Sequence, residues 1–285
     1  MILLNGEKLA KQKLHNYQNL ISKWVHSGYQ RPTLAIIWIG EDIASHKFIK
    51  IKIKTCKNIG INVLTYQFPE TTFENVIVEK IKEINQNDSI HGLIIQLPIP
   101  KTYSLKRILS SISKKKDIDG LNPYNYGLLN SEKFEPVFQP AIVSAIFLLF
   151  NEYGIDPKSK NITIVGDGLI TGRALTNMLL NSRATVTTCN KFTSDISVFT
   201  KKADIVISCV GKINLIQEYM VNNDAIVIDI GTSIINDKVY GDVDFNFVSK
   251  KVRMITPVPG GVGPLTVVSL ISNLLETYKN QEFNK

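Results

Sequence analysis

Lys52 lies in a run of lysines, Lys47, Lys50, Lys52, Lys54 and Lys57. At helical spacing Ser45, Phe48 and Lys52 stand at i, i+3 and i+7 and share one face. The other lysines crowd the neighbouring faces, as they would on a solvated basic helix. The chemical alternative is one lysine turned into a cleft, where desolvation lowers its pKa and lets it move protons near neutral pH. Gln96 ends an apolar run just before Pro98. Strand C-terminal ends face the ligand crevice in open α/β sheets, and a glutamine there offers both a donor and an acceptor. Capping the strand end is its plain alternative. Asp117 and Asp119 stand in Lys116-Asp-Ile-Asp-Gly120, a segment suited either to meeting an amino heterocycle or simply to turning the chain. The histidines, His15, His26, His46 and His91, fall in no metal-spaced motif, and His46 flanks the start of the lysine run.

Two glycine-rich segments carry a different chemistry. Gly166-Asp167-Gly168-Leu-Ile-Thr-Gly172-Arg173 follows an apolar run and precedes a helical one. In that setting glycines permit a tight turn and close backbone approach to a phosphate at a helix N-terminus. The spacing is GxGxxxG. The acid that binds an NAD ribose is expected after the next strand, where the chain has Cys189-Asn190-Lys191. Lys191 suits the 2′-phosphate of NADP, whereas Asp167 repels it. The second segment, Pro257-Val-Pro259-Gly260-Gly261-Val-Gly-Pro264, has a fixed backbone path with almost no side chains in the way, which allows close ligand approach.

The elements that must hold these residues read as alternating helices and strands. Residues 6–27 are amphipathic, and Thr33–Ile39 is a buried strand. A helix from about Ala44 to Asn58, a strand at Asn62–Phe68, a helix at Phe73–Asn87 and a strand at Gly92–Leu97 follow. Lys114–Pro140 reads as a long functional loop rich in Asn, Gly, Pro and Asp. Ala141–Tyr153 is a helix. Strands at Asn161–Val165, Ala184–Thr188, Asp204–Ser208 and Ala225–Asp229 then restart the pattern, and a last helix runs from Leu265 to Tyr278 and packs back on the first domain. The fold class is therefore α/β, with mostly parallel sheets in two domains, the second of Rossmann type.

Composition bounds the partners. The chain has 285 residues and a formal charge of +8, 44% hydrophobic and 20% charged, as in a globular protein with a sizeable core. The lysines are dispersed and no nucleic-acid-binding motif is present, so nucleic acid is not expected. Cys56, Cys189 and Cys209 are scattered, which argues against a disulfide framework or a zinc site and suits a reducing, cytoplasmic setting. No apolar run reaches membrane-spanning length. The opening MILLNGEKLAKQ is too short in apolar residues for a signal peptide.

Taken together, these segments resemble the bifunctional methylenetetrahydrofolate dehydrogenase/methenyltetrahydrofolate cyclohydrolase family over nearly the whole chain. Gly40-Glu-Asp-Ile-Ala-Ser45 resembles its G-D-x-P-A-S, leading into Y-x-x-x-K. Gln96-Leu-Pro-Ile-Pro100 resembles Q-L-P-L-P, Lys116–Gly120 resembles K-D-V-D-G, and Asn125-Tyr-Gly127 resembles N-x-G. Gly166–Arg173 resembles G-R-S-x-x-V-G-R, and Gly241-Asp-Val-Asp244 resembles G-D-V-D. Thr256–Thr266 matches T-P-V-P-G-G-V-G-P-M-T at all but one position. The resemblance implies a folate-binding catalytic domain over 1–139, completed by a helix at 265–285, and an NAD(P)-binding domain over 140–264, with a folate cleft between them and homodimerisation through the nucleotide domain. It implies hydride transfer from 5,10-methylenetetrahydrofolate to NADP, with NAD as the other candidate. It then implies hydrolysis of the methenyl cation to 10-formyltetrahydrofolate, supplying purine and amino-acid biosynthesis without a metal. Lys52 becomes the catalytic lysine, Gln96 its holder and Asp119 the pterin anchor. Phe48, Pro259, Gly260 and Gly261 join the substrate site, and Gly166, Asp167, Gly168, Gly172, Arg173, Lys191 and Thr232 the cofactor site.

The chain departs from the family pattern at four places. Phe48 replaces a tyrosine, Asp167-Gly168 replaces Arg-Ser, Asn190-Lys191 replaces His-Ser, and Pro136-Val-Phe-Gln139 replaces P-C-T-P. Hydrolysis is therefore expected to be better preserved than dehydrogenation.

Overall fold

Apolar runs with a period of two alternate along the chain with runs of helical period, and the computed structural model turns each into a strand or a helix. It describes residues 1–131, 138–236 and 238–283, apart from the side chains of Ile43 and Ala44. Pro136 and Val137 of the expected hinge lie outside the described residues. In chain order come β1 (Ile2–Leu3), α1 (Gly6–His26), β2 (Thr33–Ile39), α2 (Ile43–Asn58), β3 (Asn62–Phe68), α3 (Glu74–Gln86) and β4 (Gly92–Ile95). Next are α4 (Leu105–Ser111), α5 (Pro123–Leu128), α6 (Ala141–Glu152), β5 (Asn161–Val165), α7 (Ala174–Asn181), β6 (Thr185–Cys189), α8 (Ser197–Thr200) and β7 (Ile205–Ser208). The chain closes with β8 (Ile226–Asp229), β9 (Ser233–Ile235), β10 (Lys238–Tyr240), α9 (Phe245–Val248), β11 (Met254–Ile255) and α10 (Val262–Glu282).

Two compact units result. One contains Lys11–Leu128, residues 138–141 and residues 267–283. Its sheet is parallel, in the order β3-β2-β4. Alternation along β2 sends Leu34 and Ile36 to one face, where they pack with Ile21 of α1, Ile49 and Cys56 of α2 and Leu270, Ile271 and Leu274 of α10. Ala35, Ile37 and Ile39 go to the other face, against Ile77, Ile81 and Ile84 of α3 and Ile108 and Leu109 of α4. Both faces are covered, which is why β4 is apolar throughout. Beyond β4, Asp117 bridges Leu93 in parallel and Lys116 O accepts from Leu93 N at 2.8 Å, so the Lys116–Ile118 segment extends the sheet.

The other unit contains Met1–Ala10 and Ile142–Thr266. Six parallel strands lie in the order β1-β11-β8-β7-β5-β6, and β9 and β10 form a separate antiparallel pair. The first ten residues thus join this unit rather than the first domain as expected, because Ile2 and Leu3 pair with Met254 and Ile255. The expected loop at 114–140 contains a helix, α5, which begins at Pro123, where a missing N–H is no loss.

The loop that extends the first sheet is fastened at its start. Lys116 is buried, and its Nζ donates to Ile84 O at 2.9 Å and Asn87 O at 2.7 Å, closing the C-terminus of α3. Burial lowers its pKa, opposed by Asp88. Lys116→Met is expected to lower stability by about 2–3 kcal/mol, since two buried carbonyls lose a charged donor. Urea unfolding measures this, and an unchanged midpoint would contradict it.

Candidate active site

Asp42 starts α2. Its carboxylate accepts from Ser45 N at 2.7 Å, and the Ser45 hydroxyl and backbone hold its pKa below the ordinary carboxylate range. That cap sets the phase of the helix. Lys50, Lys54 and Lys57 come out exposed, whereas Lys52 is half-buried one turn before the buried Cys56. Lys52 Nζ donates to Gln96 Oε1 at 2.9 Å. Gln96 is buried, its backbone N–H continues the sheet to Ile37 O at 2.8 Å, and its Nε2 donates to Leu97 O at 2.7 Å. Both ends of the amide are therefore committed, and the acceptor faces the lysine.

Asp119 completes the group. Burial raises its pKa to about 6, against the opposing pull of Lys52 and with reinforcement from Asp117. Burial likewise lowers the pKa of Lys52, opposed by the Asp119 charge and, less, by Cys56. Burial thus disfavours the charge on both members of the pair, while each charge favours the other.

Asp117 has another task. Its carboxylate is buried and accepts from Leu121 N at 3.1 Å, Asn122 N at 2.7 Å and Asn125 Nδ2 at 2.9 Å. It shapes the turn and leaves Asp119 as the available acid. From α10, Asn273 Nδ2 donates to Ile118 O at 2.8 Å and Thr277 Oγ1 to Lys115 O at 3.4 Å. Phe48 is 38% exposed on the Lys52 face of α2. His46 packs edge-on to Trp38, with centroids 6.2 Å apart.

The remaining predicted residues belong to the other unit. Pro259, Gly260 and Gly261 form a loop whose Gly260 O accepts from Glu7 N at 2.8 Å. A Cβ on Gly6 would stand 1.9 Å from Gly261 O, so glycine is required there. Gly166–Arg173 runs from β5 through a π-helical turn, Leu169–Arg173, into α7. A Cβ on Gly172 would stand 2.0 Å from Gly166 O, whereas one on Gly168 would meet nothing within 4 Å. The turn is closed on its inner side and open on its outer side, a cradle that fits a dinucleotide phosphate. Asp167 Oδ2 lies 3.4 Å from Asn190 Nδ2 and 3.9 Å from an Arg173 guanidinium nitrogen, and Arg173 Nε donates to Asp167 O at 3.1 Å. Lys191 Nζ sits 5.0 Å from the Phe192 ring centroid. Thr232 is exposed beyond β8, with its hydroxyl 3.4 Å from Ile230 O.

Sequence reasoning placed Asp229 at a strand end and Asp242 in the Gly241–Asp244 motif without giving either a role. Asp229 ends β8 and accepts from the N–H groups of Gly231, Asp242 and Val243 at 2.9–3.0 Å. Burial raises its pKa to about 6. Asp242 is fully buried and accepts from Ser208 Oγ at 2.7 Å, Val210 N at 2.8 Å and Lys212 N at 2.7 Å. Together they shape the loops after β7 and β8. An aspartate closing an otherwise apolar strand was the available signal. Among the described residues no group of three or more His, Cys, Asp or Glu is placed to hold a metal, and no helix is long and apolar enough to cross a membrane.

Residues 4–119 match the catalytic domain of the tetrahydrofolate dehydrogenase/cyclohydrolase family, and residues 140–282 match its NAD(P)-binding domain. The chain is similar to the bifunctional protein FolD of Hydrogenobaculum sp. (strain Y04AAS1), 42% identical over 281 residues, 99% of this chain and 100% of the relative. It is also similar to that of Campylobacter jejuni (strain RM1221), 41% identical over 286 residues and 99% of each chain. A solved structure of bifunctional FolD methylenetetrahydrofolate dehydrogenase/cyclohydrolase from Campylobacter jejuni superposes with a TM-score of 0.94 at 38% identity, covering 98% of this chain and 99% of the other. The Trypanosoma brucei enzyme, complexed with NADP cofactor and inhibitor, gives 0.94 at 29% identity and covers 98% of both.

Proposed function

Because the chain belongs to the tetrahydrofolate dehydrogenase/cyclohydrolase family and is an enzyme of one-carbon folate metabolism, we propose that Lys52, Gln96 and Asp119 form its folate site. The reactions are oxidation of 5,10-methylenetetrahydrofolate and hydrolysis of the resulting methenyl cation to 10-formyltetrahydrofolate. The observation that carries the residue assignment is the Lys52 Nζ–Gln96 Oε1 hydrogen bond beside a carboxyl whose pKa is raised to about 6.

In hydrolysis, water adds to the methenyl carbon and Lys52 Nζ in its neutral form takes the proton. The bond from that carbon to N5 breaks as the formyl C=O forms, and N5 takes a proton back from Lys52. One proton is released overall. Gln96 keeps Nζ aimed, and the cationic substrate itself favours the neutral lysine. Phe48 offers a ring without a hydroxyl, so Lys52 works here without the partner a tyrosine would give it.

When bound, the dinucleotide accepts the hydride from the methylene carbon. The chain's own part is to hold it: Gly166, Gly168, Gly172 and Arg173 form the turn for its phosphates, and Thr232 stands in the segment after β8. Pro259, Gly260 and Gly261 are assigned to substrate by the family motif they carry. Homodimerisation and a cytoplasmic location belong to this proposal and rest on the same resemblance, the latter supported by three free cysteines.

Asp119 provides the test. A carboxylate accepts two hydrogen bonds from an amino-heterocycle edge, and a protonated carboxyl does not. Asp119→Ala is expected to weaken folate binding about 100-fold and to depress both half-reactions. In the wild type, protonation as pH falls through about 6 removes the acceptor, so folate affinity declines below that pH, by about tenfold per unit at most. Unchanged folate affinity by calorimetry, in the variant or between pH 7.5 and 5, would overturn the assignment.

A further inference from the structure

The acid that a dinucleotide-binding sheet normally carries after its second strand is replaced in this chain by Asn190. The structure brings a carboxylate to that place from the neighbouring loop. Val165 pairs with Cys189, and Gly166 N donates to Cys189 O at 2.9 Å, so the residues following β5 and β6 lie side by side. Asp167 consequently points its Oδ2 at Asn190 Nδ2, 3.4 Å away.

The cations around it are engaged. Arg173 is tied to Asp167 itself, through Nε to the Asp167 carbonyl at 3.1 Å and by its guanidinium at 3.9 Å from the carboxylate. Lys191 lies over the Phe192 ring, 5.0 Å from its centroid. A 2′-phosphate entering here faces a carboxylate and must compete with it for Arg173. A ribose 2′,3′-diol has two O–H donors to give to the same carboxylate, as charge-assisted hydrogen bonds. Gly168 leaves the adjoining space open, since a Cβ there would meet nothing within 4 Å.

We propose that Asp167 reads the adenosine ribose in this chain and selects the unphosphorylated diol, so that NAD is bound at least as tightly as NADP. The assignment rests on the dinucleotide reading of the Gly166–Arg173 turn given above and narrows it to one ligand class.

Calorimetric titration of the full chain with NAD and with NADP, without folate, tests it directly. Wild type is expected to bind NAD with a Kd equal to or below that for NADP. Asp167→Ala weakens NAD about tenfold, through loss of the charged acceptor, and leaves NADP no weaker. Asp167→Arg shifts the preference to NADP. Thermal unfolding of the ligand-free variants checks their fold, and Asp167→Ala carries the test if the arginine variant does not fold. Tighter wild-type binding of NADP by tenfold or more, or an unchanged NAD:NADP ratio in Asp167→Ala, would overturn the selection while leaving the dinucleotide site standing. Binding of neither nucleotide would overturn both.

Discussion

Lys52→Met is expected to lower methenyl hydrolysis by at least about 100-fold while the chain stays folded, the scale at which a positioned proton-transfer group contributes. Methionine keeps an unbranched apolar chain out to Cε, where Lys52 lines a small cavity with Cys56 and residues of α10. It removes only Nζ, and with it the donor to Gln96 Oε1. Because burial already disfavours the charge on Lys52, the neutral thioether costs little stability. Lys52→Arg separates two roles, since a guanidinium supplies positive charge but does not deprotonate. If proton transfer is the function, arginine is as inactive as methionine. The disappearance of methenyltetrahydrofolate measures both variants against the uncatalysed rate. Near-normal hydrolysis by either would remove Lys52 from the mechanism, and exposed Lys50 and Lys54 would be the next lysines to substitute.

The second large effect belongs to the other unit. Gly172→Ala places a methyl 2.0 Å from Gly166 O, 2.9 Å from its carbonyl carbon and 3.0 Å from the Asp167 Cα. All three are backbone atoms of the same turn, so no side chain can swing away. The turn must open, at a cost of about 3 kcal/mol or more, the upper end for overpacking. With about 2–4 °C per kcal/mol for a unit of this size, the melting temperature falls by about 6–12 °C. Dinucleotide binding is expected to disappear by calorimetry, because the glycine loop no longer holds its shape. Gly168→Ala is the matched control for stability, since its methyl enters open space. Equal melting temperatures for Gly172→Ala and wild type would show that the turn relaxes without cost.

The main alternation of strands and helices was readable because β2 and β3 each have seven residues, β2 as an unbroken apolar run and β3 with a partial period of two. Strands β1 and β11 have two residues each and carry no period, so the allegiance of residues 1–10 was hidden until pairing was seen. The β9–β10 pair escaped for a related reason, although Asn236 at its turn takes a left-handed φ of 49° and an Asn-Asp pair is a turn signal. Lys52 could be placed on a face from spacing alone. Its desolvation could not, because that depends on Gln96 and Asp119, 44 and 67 positions later in the chain, arriving beside it. Asp117 and Asp119 were equivalent in sequence, since both sit in a turn-forming segment. They differ in what the fold delivers: donors from Leu121, Asn122 and Asn125 converge on the first, and the second feels the Lys52 charge. The position of Asp167 near the adenosine ribose was legible from the family motif and from the missing acid after β6; its contact with Asn190 needed the register of β5 against β6.

The clamp of α10 on the Lys116–Asp119 segment sets a timetable for translation. Ile118 O receives its hydrogen bond from Asn273, 155 positions downstream. At ~5–20 residues per second, a ribosome takes about 8–31 s to cover that distance. The nascent chain can lay down β2, β3 and β4 long before then, whereas Ile118 O meets its donor only when α10, the last helix, has emerged. The bonds that Lys116 and Asp117 make to residues 84–125 can therefore form first, and the contact from α10 is added to a segment already in place.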